Sequence, residues 1–172
     1  MTSQTWQRED AATPSVLCGV DGSADARVAL RVAAGLAEQL GLRLVVAHVA
    51  PVPVSPVALG AGGPPLAAYP SPAAGIESGE RMLGLLLEEA AIDGAEQRVV
   101  AGFPPDRLAD LADEENAALL VVGSRGRGSV KAAFLGSVSM DLIGVARCPV
   151  LVVPPRIAAP IPPGAAATAR TG

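Results

Sequence analysis

Apolar residues fall along this chain in two rhythms. The first is a set of short, nearly continuous runs: "SVLCGVD" (15–21), "RLVVAHVAP" (43–51), "EQRVVAG" (96–102), "ALLVVG" (118–123) and "PVLVVPP" (149–155). Each is too short for a helix, and the pattern predicts strands buried on both faces. The second rhythm is helical. Ala29, Leu30, Ala33, Leu36, Ala37 and Leu40 recur at three- and four-residue spacing, with Ser23 placed to cap the start and Gly41 to stop the end. "ESGERMLGLLLEEAAI" (77–92) has the same period. "PPDRLADLADEENA" (104–117) predicts a helix with proline at its start, where a missing N–H costs least. Ser137 to Val145 predicts another. Strands alternating with helices predict an α/β fold: a doubly wound, five-stranded parallel sheet with helices on both faces and right-handed crossovers. Ligands in such folds bind beyond the carboxyl ends of strands, where strand order reverses. The two most unusual loops, "VDGS" after the first strand and "GSRGRGS" after the fourth, lie at such ends.

The rest of the chain carries no such rhythm. Residues 1–14 are polar and predict a frayed start. Residues 51–76 are rich in Pro, Gly and Ala, almost without charge, and predict an insertion lacking regular structure, either a lid or an inert flap. Residues 156–172, nearly all Ala, Pro, Thr and Gly, predict a disordered tail. One domain over 15–155 remains. Hydrophobic residues make up 50% of the chain but aromatics only 2%, so its core is built from Val, Leu, Ala and Ile.

Charge narrows the function. A net charge of −4 argues against a nucleic-acid or membrane-surface binder. Against that background Arg125, Arg127 and Lys131 cluster, and no Asp or Glu occurs from Asn116 to Met140. An acidic protein that concentrates positive charge on one loop points to a local anionic ligand. No apolar stretch is long enough to span a membrane and no leader pattern is present, so a cytoplasmic protein is expected. Cys18 and Cys148 sit in apolar contexts and read as reduced, buried residues. They have no metal-ligand spacing, and the metal question stays open. His48, the sole histidine, lies in a strand with no nucleophile motif nearby and reads as a core residue.

The glycine loop nearly fits two phosphate motifs. Gly123 and Gly128 have the Walker spacing, but Ser129-Val130 stand where Lys and a hydroxyl are required. Gly126 and Gly128 begin a dinucleotide pattern, but Lys131 replaces its third glycine, and the loop follows the fourth strand instead of the first. A different geometry remains: successive backbone N–H groups of the loop forming a nest, facing the N-terminus of the helix that Ser137 opens, with hydroxyls from Ser137 and Ser139. The plain alternative is that the glycines only turn the chain.

The spacing Gly123-x2-Gly126-x9-Gly136-Ser137 resembles the nucleotide-binding signature of the universal stress protein family. "VLCGVDGSADARVALRVAAGLAEQLGLRLVVAHV" is similar to that family's opening strand–helix–strand, and "CPVLVVP" to its closing strand. The resemblance covers roughly 15–155 apart from the insertion, and it implies a Rossmann-like sheet of order 3-2-1-4-5. It implies ATP, with or without Mg²⁺, across the carboxyl ends of the first and fourth strands. Asp21 then resembles the acidic contact to the ribose or adenine side, with Gly19 in the neighbouring backbone. Val49 resembles the residue whose backbone reads the adenine edge. Gly123, Ser124, Arg125, Gly126, Arg127, Gly128 and Ser129 resemble the phosphate and ribose loop, and Gly136, Ser137, Val138 and Ser139 the second phosphate contact. The function implied is a nucleotide-dependent regulatory or stress-response module. The alternative is a slow ATPase or nucleotidyl-transfer enzyme of the same class. In the implied order the run 149–155 is an uncharged edge strand, which predicts a homodimer formed by pairing with its own copy.

Overall fold

The computed structural model describes residues 13–52, 71–126 and 135–155. Strands β1 (Ser15–Gly19), β2 (Arg43–Pro51), β3 (Glu96–Gly102), β4 (Ala117–Gly123) and β5 (Val150–Val153) alternate with helices α1 (Ala24–Leu40), α2 (Pro72–Ala90), α3 (Pro104–Glu114) and α4 (Ser137–Val145). All pairings are parallel, and the order is β3-β2-β1-β4-β5, as expected.

Side-chain alternation explains the layers. Val16, Cys18, Val20, Val46, Val121 and Val153 join α1 and α2 in one core cluster. Leu17, Val45, Ala47, Val49, Leu120 and Val122 join α3 and α4 in the other. Neighbouring residues of one strand thus serve opposite faces, which is why the strands read as continuous apolar runs. From β1 the chain steps through β2 to β3, then returns to β4 on the far side of β1. The switch point lies between β1 and β4.

Several boundaries differ from the sequence pattern, each for a local reason. Helix α2 begins at Pro72, inside the stretch expected to lack regular structure. Ser71 caps it by accepting from the Ala74 N–H at 3.2 Å, and Pro72 occupies the first turn. The other residues of that insertion, 53–70, lie outside the described residues. Helix α3 stops at Glu114, short of 117, because Asn116 turns left-handed with φ 48°. Strand β1 ends at Gly19 instead of Asp21, and β5 spans only Val150–Val153 of the expected 149–155. Thr13 and Pro14, expected to fray, are held by Arg43, whose Nε donates to the Thr13 carbonyl at 2.9 Å and whose N–H donates to that of Pro14 at 3.4 Å. Residues 1–12 and 156–172, where the frayed start and disordered tail were expected, lie outside the described residues. Cys18 is fully buried, and burial pushes its thiol up to about 12. Cys148 is only half-buried, which corrects the expectation of two buried cysteines; burial raises its thiol too. Both are free.

The amino end of the sheet carries a closed ionic cluster. Arg43 meets Glu96 at 2.6 Å and Glu115 at 3.4 Å, and Arg98 meets Glu115 at 2.6 Å and Glu96 at 2.9 Å. The hydrogen bond from Arg43 holds the Glu96 carboxyl below the usual glutamate range.

Candidate functional site

At the opposite end of the sheet the strands open onto a cleft of about 640 Å³. Its floor is made by the carboxyl ends of three neighbouring strands: Gly19 and Val20 of the β1 exit, Ala47 and Val49 of β2, and Val122 and Gly123 of β4. Pro51, Pro104 and Leu108 form an apolar wall on the β2–α3 side. Arg125, Gly126 and the start of α4 form a polar wall on the other. One end therefore suits a flat apolar group and the other an anion.

The polar wall is assembled by glycines in distinct ways. A Cβ on Gly123 would lie 2.9 Å from the Asp25 carbonyl carbon and 3.0 Å from the Ala26 nitrogen, so this glycine lets the start of α1 sit against the end of β4. A Cβ on Gly126 would lie 2.6 Å from Asp21 Oδ2, so this one brings the loop down onto that carboxylate. Gly136 is different. Its φ of −76° is ordinary, and a Cβ there would meet nothing closer than 3.5 Å. It occupies the N-cap of α4, where Ser, Thr, Asp or Asn would bond the first turn; here no side chain caps the helix. The first-turn N–H groups of α4 therefore lack an intrahelical partner beside the cleft.

The acidic residues are held in turn. Asp21 Oδ1 accepts from the Ser23 N–H at 3.0 Å, closing a turn ahead of α1. Asp25, in the first turn of α1, places Oδ2 3.0 Å from the Ser124 hydroxyl and 3.5 Å from Arg125 Nε. The Ser23 hydroxyl donates to the Arg125 carbonyl at 3.4 Å. Ser124, nearly buried, donates its N–H to Val153 and accepts from the Gly136 N–H at 2.7 Å.

Of the residues expected at the site, Gly19, Asp21, Val49, Gly123, Arg125, Gly126, Gly136, Ser137, Val138 and Ser139 line this one cleft. Ser124 lies behind the wall. Arg127, Gly128 and Ser129 lie outside the described residues. Ser139 was expected to offer its hydroxyl, but that hydroxyl is buried and donates to the Gly123 carbonyl at 2.9 Å. It fastens α4 to β4 and leaves only the Ser139 backbone for a ligand. His48 was expected in the core, but it is only partly buried and lines the cleft; its Nδ1 lies 2.8 Å from the Val20 carbonyl, and its ring packs close to Gly79 of α2. Asp25, Pro104 and Leu108 were not singled out by the sequence. Asp25 lies on a different element from the loop it contacts, and Pro104 and Leu108 come from α3, so only the folded topology brings them here. Among the described residues no three His, Cys, Asp or Glu side chains gather as metal ligands, and no helix is long and apolar enough to cross a membrane.

Residues 13–154 match the Universal stress protein family. A universal stress protein of Thermus aquaticus, described as lying in the QAH/OAS sulfhydrylase 3′ region, is 31% identical over 139 residues, covering 81% of this chain and 97% of that one. A universal stress protein crystallised in complex with cAMP is 29% identical, covers 83% of this chain and 98% of its own, and superposes with a TM-score of 0.56. One from Archaeoglobus fulgidus in complex with dAMP is 26% identical over the same shares, with a TM-score of 0.55.

Proposed function

We propose, from the premise that this chain belongs to the universal stress protein family, that its cleft holds an adenine nucleotide, ATP, and that occupancy of the cleft is a regulatory signal. The observation that carries the reading is Gly136. Neither its backbone angles nor, among the described residues, the surrounding chain demands a glycine, and a capping side chain would have bonded the first turn of α4. A ligand that needs those first-turn N–H groups accounts for its absence, and phosphate is the natural occupant of an uncapped helix N-terminus. The N–H groups of Ser137, Val138 and Ser139 and the Arg125 guanidinium serve the phosphates. The apolar wall of Val49, Pro51, Pro104 and Leu108 serves the base, and Asp21 the ribose side. Universal stress proteins of this fold whose structures are complexes with cAMP and with dAMP support an adenine nucleotide as the ligand. Arg127, Gly128 and Ser129 complete the phosphate loop in this reading.

Mg²⁺ fits this arrangement only as a passenger. With no cluster of three ligating side chains among the described residues, the cation would be held by phosphate oxygens. Its chemistry when bound is to neutralise phosphate charge. The enzyme alternative, a slow ATPase or nucleotidyl transferase, needs a positioned base. His48 lines the cleft, and its Nδ1 bond to the Val20 carbonyl leaves Nε2 as the one ring nitrogen that could serve, so the turnover measurement below decides between the two readings. A cytoplasmic location suits two free thiols.

The homodimer is proposed at β5. This strand ends the sheet order, carries no charge between Pro149 and Pro154, and lies beside α4, whose Met140, Ile143 and Val145 are exposed. Self-pairing about a two-fold axis covers that edge, and the prolines limit its growth.

Mass spectrometry of small molecules released from the purified protein tests the nucleotide, and calorimetry then measures its affinity. ATP is expected to bind; a protein that releases no nucleotide and binds none in calorimetry overturns the reading. Turnover of about 10 per second with Mg²⁺ would replace the regulator with the enzyme. Sedimentation tests the dimer: wild type is expected to run as a dimer at micromolar concentration, and Val152→Lys as a monomer. Because Val152 also packs on the α3–α4 side of the core, circular dichroism must report the variant folded.

A further inference from the structure

We infer that Asp25 is a positioning residue that locks the two halves of the phosphate cradle together. This rests on the proposed nucleotide reading of the cleft, which names the cradle but gives Asp25 no part in it. The carboxylate does not line the cleft. It stands behind it, with its side chain 13% exposed.

The geometry is a relay. Asp25 Oδ2 accepts from the Ser124 hydroxyl at 3.0 Å. The Ser124 carbonyl in turn accepts from the Gly136 N–H at 2.7 Å, and Gly136 is the N-cap of α4. One carboxylate on α1 therefore fixes the residue from which the opening of α4 hangs. The same Oδ2 lies 3.5 Å from Arg125 Nε, which engages the guanidinium from its inner side. Among the described residues its two terminal nitrogens have no other partner, and five donors in a fixed fork allow Nε to be held while they bind an anion. The closeness of the two elements is built in, since a Cβ on Gly123 would strike the Asp25 backbone.

Electrostatics gives the lock a second effect. Of the two carboxylates beside the loop, Asp21 meets Gly126 and Asp25 is the one within 3.5 Å of the Arg125 guanidinium. A carboxylate behind it balances that charge when no nucleotide is present, and keeps the loop from moving away by self-repulsion. An anion entering from the cleft then meets donors already placed, so less ordering is needed at the moment of binding. Base contacts lie at the other end of the cleft and make no use of Asp25.

The test separates phosphate from base. Affinities for ATP and for adenosine are measured by calorimetry in wild type, Asp25→Ala, Asp25→Asn and Ser124→Ala. Asp25→Ala is expected to lose about ten-fold in ATP affinity, the scale of a charge-assisted hydrogen bond, with adenosine affinity unchanged. Asp25→Asn keeps an acceptor for Ser124 but not the charge at Arg125, so it is expected to fall between. Asp25→Ala and Ser124→Ala together are expected to lose less than the product of their separate losses, because they cut one relay. In the nucleotide-free protein, hydrogen exchange at the Gly136 amide is expected to quicken in Asp25→Ala while the amides of β2 keep their protection. Equal losses for ATP and adenosine, an Asp25→Asn variant no better than alanine, or a Gly136 amide that exchanges at the wild-type rate would each overturn the inference. A wild type that binds no nucleotide brings down the proposed function instead, and the Gly136 exchange alone then decides whether the lock exists.

Discussion

The two ends of this sheet carry charge in opposite ways. At the amino end, Arg43, Arg98, Glu96 and Glu115 satisfy one another, two cations against two carboxylates, all within 3.4 Å. At the carboxyl end, among the described residues, Arg125 is held on one side only, and the α4 N-terminus has no capping side chain. Arg43, Glu96 and Arg98 stand at the starts of β2 and β3, whereas Arg125 follows the end of β4. The difference lies in what closes each set of charges. Where the chain supplies both partners, the charges hold the fold together. Where the described residues supply half, the proposed nucleotide supplies the remainder.

The sharpest way to break this contrast is to close the open end artificially. Gly136→Glu puts a carboxylate where the phosphate is proposed to lie. A Cβ there meets no described atom closer than 3.5 Å, so the thermal midpoint is expected to stay within a few degrees. ATP affinity is expected to fall by roughly 100-fold or more, since like-charge contacts at a binding surface cost several kcal/mol. Unchanged calorimetry for this variant would remove the central support for a nucleotide in the cleft. Gly126→Asp is expected to lose binding as well, but at a cost to stability, because its Cβ falls 2.6 Å from Asp21 Oδ2; a melt that matches wild type would show the loop is not pressed onto Asp21.

Opening the closed end is expected to do the reverse. Glu115→Ala removes acceptors from both arginines and is expected to cost about 1–2 kcal/mol in urea unfolding, while ATP affinity is unchanged. A change in affinity would mean the two ends are not independent. The smallest effect concerns acid. The Glu96 carboxyl titrates below its ordinary 4.5 because Arg43 donates to it. Its stabilisation is thus complete above that value and is lost as pH falls through the lower folded one. Glu96→Gln is expected to shallow the drop in thermal midpoint below about pH 4.5 and to leave the midpoint's pH dependence above pH 6 as in wild type.

The sequence made one end far more legible than the other. A glycine pattern is local, so Gly123, Gly126 and Gly136 could be read from spacing alone. Apolar runs and helical periods are local too, and strand order followed from the resemblance they carried. Asp25 was hidden because its partner Ser124 lies 99 residues away. The stretch from Asn116 to Met140 looked free of acid, yet the β1–α1 turn brings two carboxylates to it. The start of α2 was lost for another reason: Ser71-Pro72 is a sound helix opening, but a Pro-rich neighbourhood outweighed it. Asn116 ended α3 early through a left-handed backbone that the polar run "DEEN" does not announce. Ser139 was read as a donor to ligand because sequence reveals a hydroxyl but not the Gly123 carbonyl waiting beside it.

Gly79 helps decide the shape of the cleft from outside it, one contact away through His48. A Cβ at this position on α2 would come within 2.7 Å of both the His48 ring and a Val99 methyl. The helix therefore rides on the sheet without the thickness of even one methyl group as a spacer. Adding that methyl has three outlets: α2 lifts outward, the Val99 methyl turns aside, or the imidazole yields. The imidazole is the strut under the Val20 carbonyl, and Val20 lines the cleft. An outer helix and an inner wall thus share one mechanical clearance, and Gly79→Ala is expected to register in the Val20 amide resonance although no atom of the new side chain reaches the cleft.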